Sequence, residues 1–286
     1  MPELVIDERR RDLGGFEVGR VLPAGAKRMV GPFVFFDHMG PTDFAPGIPR
    51  TVDVRPHPHI GLATVTYLFA GEIMHRDSLA TQQPIVAGEV NWMTAGRGIT
   101  HSERFERARR EGGALHGIQA WVALPTELEE CDPAFAHHDA NDLPTGADGG
   151  ARWRVLAGEL RGQRARVATA SPLFYVHCEL DAAARFEVPV IGPERAVYVA
   201  TGSVDVDGQR IDAGSMAVLA PGTAVGLQAA TPATVMVLGG EPLGPRHIEW
   251  NFVSSSQERI EQAKADWRAQ RMKLPDFDHD EFVPLP

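Results

Sequence analysis

Short runs of Val, Thr, Tyr, Ile and Leu, broken every few residues by Gly, Pro or Asp, recur along nearly the whole chain and leave little room for anything but β-structure. Residues 65–69, 90–93, 118–124, 174–178, 196–200, 217–219 and 234–238 all carry this pattern. Sustained helical periodicity is scarce before the C-terminus. Short strands in close succession build a sandwich or a barrel, whereas a βαβ sheet would need helical crossovers between them. The expected class is all-β.

The chain also repeats itself. Residues 66–73 (TYLFAGEI) match residues 197–204 (VYVATGSV) at an offset of 131, keeping Tyr67 with Tyr198 and Gly71 with Gly202. Carried back, that offset lays His57, Pro58 and His59 on Val188, Pro189 and Val190. Residues 87–90 match 213–216 at an offset of 126, the difference fitting a shorter hairpin in the second copy; His101 then falls on Leu227 and Glu103 on Ala229. A second barrel of the same kind, its pocket filled by apolar side chains, accounts for these replacements.

With 286 residues, two domains of ordinary size can each bury a core. The stretch 139–150 is rich in turn formers and reads as a linker. The expected domains are therefore 1–138, a first barrel, and 151–247, a degenerate second barrel, followed by a strand and helix tail over 248–286 that packs on the barrels. Ser255 and Glu258 give a helix-start signature, and Ile260, Ala263 and Trp267 follow at helical spacing, a narrow stripe suited to a β-sheet flank.

Composition narrows the function classes. No apolar run of about 18 residues occurs that could span a bilayer. The N-terminal residues lack a secretory pattern, so a cytoplasmic protein is expected. A net charge of −10 argues against direct nucleic-acid binding. Cys131 and Cys178 lack metal or disulfide spacing. Arg104, Arg107, Arg109 and Arg110, interleaved with Glu103, Glu106 and Glu111, read as a solvated face. A monomer is expected.

One cluster carries chemistry. His57 and His59 lie one residue apart, and 42 residues after His59 come His101 and, two further on, Glu103. Alternate side chains of a strand share a face, so each pair can aim both members at one point. Three imidazoles and a carboxylate suit a divalent transition metal such as iron, manganese, nickel, copper or zinc, and the absence of a thiolate favours a reactive centre over a closed structural zinc site. Gly96 and Gly98 permit a tight turn into the second strand. His75 and Asp77, also two apart, are placed to hydrogen-bond to ligand imidazoles or to a substrate. His38 reads as structural, and His116, His137, His138, His177, His247 and His279 have no partner at metal spacing.

The residues RPHPHIGLATVTYL (55–68) and WMTAGRGITHSE (92–103) resemble the pirin family of the cupin superfamily. The resemblance continues in GPFVFFDH (31–38) and WNFVSSS (250–256) and so covers nearly the whole chain. It implies a bicupin: two antiparallel β-barrels of jelly-roll type packed face to face, the N-terminal one holding Fe(II) through His57, His59, His101 and Glu103. It also implies one of two functions. Some pirins resemble quercetin 2,3-dioxygenases, which bring a flavonol and dioxygen together and release carbon monoxide, with the residue matching Glu103 accepting the substrate hydroxyl proton. Others act as iron-dependent or redox-dependent partners of a transcription factor or a metabolic enzyme. The enzyme is the favoured reading. Ala63 departs from the glutamate that many pirins carry there; that glutamate neighbours the metal without ligating it.

Overall fold

The computed structural model describes residues 1–12 and 14–286. Strands dominate, joined among the described residues by two α-helices, Glu106–Glu111 and Gln257–Arg268. The runs singled out above fall in the strands Leu62–Ala70, Val90–Thr94, Gly113–Ala123, Leu173–Leu180, Glu194–Thr201, Ser215–Leu219 and Ala233–Gly240, with Leu124 one residue beyond its strand. Their ladders are antiparallel. Among the described residues no helix is long and apolar enough to cross a membrane.

The chain forms two compact units that interleave in sequence. The first unit comprises Arg11–Val18, Met39–Ala140 and Leu243–Pro286; the second comprises Met1–Arg10, Gly19–His38 and Asn141–Pro242. These units differ from the consecutive segments expected above, for reasons visible in the pairing. The strand Pro2–Asp7 hydrogen-bonds along Ser215–Leu219 and so covers an edge of the second unit's larger sheet, which an unpaired edge strand would otherwise expose. The boundary between the units falls within the expected linker 139–150, after Ala140, and the second half of that stretch is a hairpin: Thr145–Asp148 pairs with Ala151–Ala157 around Gly149 and Gly150, both at positive φ, as in a tight two-residue hairpin turn. Turn-forming composition marks tight hairpins as readily as linkers.

Each unit contains a four-stranded sheet built to the same plan. In the first unit the order is Val54–His59, Ile99–Arg104, Glu72–Asp77, Gln82–Val86; in the second it is Arg185–Val188, Val225–Ala229, Ser203–Val206, Gln209–Asp212. The pairing also corrects the repeat alignment. His57 sits opposite His101, and the corresponding pair in the second unit is Phe186 opposite Leu227, so His57 answers to Phe186 and His59 to Val188. The offset of 131 is two residues too long in this strand. A slip of two preserves which face each side chain takes, which is why alternation alone does not reveal it. Phe186, Val188, Leu227 and Ala229 are all buried, whereas Val190, placed in the pocket by the longer offset, is 52% exposed.

The C-terminal helix packs within the first unit. Ile260, Ala263 and Trp267 are buried against Ile60 and Phe252, with Trp250, Met272, Leu274, Phe282 and Leu285 around them. Its N-cap is Ser256, whose side chain accepts the Arg259 N–H, and not Ser255. Ser255 is engaged elsewhere, its N–H and hydroxyl both donating to the Glu129 carboxylate. Arg104, expected on a solvated face, is only 2% exposed and is held by Asp278.

Candidate metal centre

The strands Val54–His59 and Ile99–Arg104 run side by side and antiparallel, with His101 opposite His57 and Ile99 opposite His59. Alternation turns His57, His59 and His101 to one face. The turn before the second strand depends on glycine: Gly96 has φ +51°, and a Cβ there would lie 2.1 Å from the Cys131 carbonyl oxygen. The structure brings the three histidines together. Their ring centroids are 5.0 Å apart for His57 and His59, 4.3 Å for His57 and His101, and 5.1 Å for His59 and His101. One nitrogen from each lies within 4.8 Å of the others, and all three residues are buried.

Hydrogen bonds decide which nitrogen is offered. His57 Nδ1 lies 2.9 Å from the Arg55 carbonyl oxygen and His59 Nδ1 3.0 Å from that of Asn251. A carbonyl can only accept, so both rings carry their proton on Nδ1 and keep the Nε2 lone pair free. The third ring has its Nε2 buried with no hydrogen-bond partner, a costly state for an imidazole unless something binds that nitrogen. Burial is also the main cause that holds all three imidazoles below the usual histidine range, His57 at about 4. Like-sign neighbours add to the effect: His75 acts on His57, His57 on His59, and His57, His59 and His75 on His101. Rings that stay neutral at pH 7 are competent metal ligands. The donor set therefore fits a divalent transition ion.

Glu103 stands apart from this trio. The ladder shifts register between His101 and Glu103, which lies opposite Val54, and its carboxylate is not among the atoms within 4.8 Å of one another. It is half-buried, and desolvation pushes its carboxyl up to about 7.

His75 and Asp77 occupy the next strand, opposite Glu103 and His101 respectively. His75 Nε2 lies 3.0 Å from Asp77 Oδ2, and His75 Nδ1 lies 3.4 Å from His101 Nδ1. Burial alone would raise the Asp77 carboxyl, but hydrogen bonds from His75 and from the Thr81 and Leu79 N–H groups bring it below its ordinary value. His38 lies in the second unit, where its Nδ1 is 2.9 Å from the Tyr198 hydroxyl. Three contributors carry no short-range sequence signal. Trp121 sets its ring edge-on to His59 at 5.0 Å, Phe135 stacks on His75 at 4.5 Å, and the Asn251 carbonyl comes from 192 residues away. A second cluster, Glu89, His137 and Asp139, also brings its ligand atoms within 4.8 Å, on a more exposed part of the first unit.

Comparison with known proteins agrees with this geometry. Residues 15–122 match the family model for pirin and residues 175–273 that for the pirin C-terminal cupin domain. A pirin-like protein of Caulobacter vibrioides is 61% identical, the alignment covering 100% of both chains. Two solved structures of quercetin 2,3-dioxygenase from Acinetobacter baumannii superpose with TM-scores of 0.91 and 0.90 at 32% and 28% identity. They cover 99% and 96% of this chain, and 94% and 98% of their own. With two matched pirin regions and these neighbours, the fold is a bicupin.

Proposed function

Because the chain belongs to the pirin family, we propose that it is a mononuclear non-haem iron dioxygenase that opens flavonols such as quercetin. The observation that carries this reading is the buried trio His57, His59 and His101, two of them locked as Nδ1–H tautomers and the third with Nε2 unpartnered. The likeness to quercetin 2,3-dioxygenase over almost the full chain supports the substrate class. Ferrous iron, when bound, supplies Lewis acidity and one-electron chemistry toward dioxygen.

The protein's own groups do the rest. The three imidazoles would hold the ion, with Glu103, two residues after His101 on the same strand though outside the cluster of three, as the proposed fourth ligand. Its carboxylate accepts the proton of the flavonol hydroxyl. Buried Trp121, edge-on to His59, and half-buried Phe135, stacked on His75, flank the histidines and limit the access of water.

Anaerobic reconstitution with ferrous iron, followed by quercetin and dioxygen, should give oxygen uptake and carbon monoxide release with about one metal equivalent per chain. Glu103→Gln should lower turnover by about 10²-fold or more. His57→Ala combined with His59→Ala should abolish metal retention. A fully loaded protein that turns over no flavonol would overturn the reading, and an iron-dependent pull-down of one protein partner would then favour a sensor.

A further inference from the structure

We infer that His75 and Asp77 are positioning residues of the metal centre: together they hold His101 as the tautomer protonated on Nδ1 and so present its Nε2 to the ion. The inference rests on the metal-centre part of the reading above and not on the flavonol chemistry.

The hydrogen-bond directions follow one another. Asp77 is fully buried, and its Oδ1 accepts the N–H groups of Leu79 at 2.9 Å and Thr81 at 3.1 Å. That leaves Oδ2 for His75, which donates from Nε2 at 3.0 Å. With its one ring proton on Nε2, His75 has a lone pair on Nδ1, and this atom faces His101 Nδ1 at 3.4 Å. Two ring nitrogens in contact need one proton between them, so His101 donates from Nδ1. Its Nε2, the buried atom without a partner, is then the lone-pair donor. His57 and His59 reach the same state by donating to backbone carbonyls; His101 reaches it through two side chains. His75 is kept in place by the stacked ring of Phe135 at 22° and 4.5 Å.

The second unit supplies an independent observation. There Val204 pairs with Ala229 and Val206 with Leu227, as His75 pairs with Glu103 and Asp77 with His101 in the first. His75 and Asp77 thus answer to Val204 and Val206, both fully buried. All six polar positions, His57, His59, His75, Asp77, His101 and Glu103, are apolar together in the sister unit. A polar pair needed only to build the sheet would have no reason to disappear with the ligands.

The test is Asp77→Asn. The amide oxygen must stay on the Leu79 and Thr81 N–H donors, so its NH2 group faces His75 Nε2 and forces that atom to accept. His75 then carries its proton on Nδ1, against His101, whose own proton moves to Nε2 and blocks the metal. Ring 15N shifts of the metal-free protein should report His101 as Nδ1–H in the native chain and as Nε2–H in the variant. Co(II) affinity should fall roughly 10- to 100-fold and the ligand-field absorption should change. His75→Phe, which keeps an aromatic ring on Phe135, provides a second variant should the first not fold, with the same expected loss of Co(II) affinity. An unchanged His101 tautomer, or Co(II) affinity within threefold of native in the folded variant, would overturn the inference. A native protein that binds Co(II) with the Nδ1–H tautomer yet cleaves no flavonol would sink the proposed reaction and leave this inference standing.

Discussion

At the scale of single residues, the centre consists of imidazoles kept neutral by burial. His57 ionises at about 4 in the folded chain and at about 6.5 when solvated. Between those values the unfolded chain binds the proton and the folded one does not, so the metal-free protein gains stability as pH rises through this window and loses it as pH falls. The shift corresponds to about 3 kcal/mol for His57 alone. Urea unfolding of the metal-free protein should therefore show stability falling from pH 6.5 to 4, with a shallower fall in His57→Asn. A flat profile across that window would mean the ring is solvated. The convergence of His57, His59 and His101 was legible at this scale because spacing by twos is a property of a strand. The carbonyls of Arg55 and Asn251 were not, since backbone groups leave no trace in residue identity.

At the scale of elements, the strand Ile99–Arg104 has two working faces. His101 and Glu103 belong to the metal side, while Thr100, Ser102 and Arg104 turn outward and are clasped by the C-terminal segment. The Thr100 hydroxyl donates to the Lys273 carbonyl, Ser102 donates to Asp278 at 2.6 Å, and Arg104 grips Asp278 with two N–H groups at 2.6 and 2.8 Å. Burial would raise the Asp278 carboxyl, but the Arg104 and Ser102 bonds bring it below its ordinary value. Asp278→Ala strips a buried guanidinium of its main partner and should cost about 3 kcal/mol in chemical denaturation. Because the clasp sits on the ligand strand, the variant should also lose metal faster to a chelator; an unchanged off-rate would show that the strand holds its shape alone. None of this was legible in the interleaved Arg and Glu residues of 103–111, which look solvated because a partner more than 170 residues away is invisible to local pattern.

On the scale of the whole molecule, one topology is used twice, and only one copy keeps polar side chains at the centre of its small sheet. In the second unit Leu227 stands where His101 stands in the first, and it is a core residue. Leu227→Ala should cost about 3 kcal/mol through the cavity it leaves, with metal content unchanged at one equivalent. Metal loss in that variant would show that the two units are coupled at the site.

Local pattern determined the β class, the strands, the terminal helix stripe and the clustering of His57, His59 and His101, because each follows from period-two or period-3.6 alternation within a few residues. The repeat was legible too, though its register was not, since a two-residue slip leaves every face unchanged. Tertiary structure alone decided that the ends of the chain trade units, that the second half of 139–150 folds as a hairpin, that Arg104 is buried, and that Glu103 stands beside the trio and not within it. Those outcomes depend on pairing between segments far apart in sequence and on one register shift between His101 and Glu103, where closing the ladder and satisfying buried charge outweigh any preference readable from neighbouring residues.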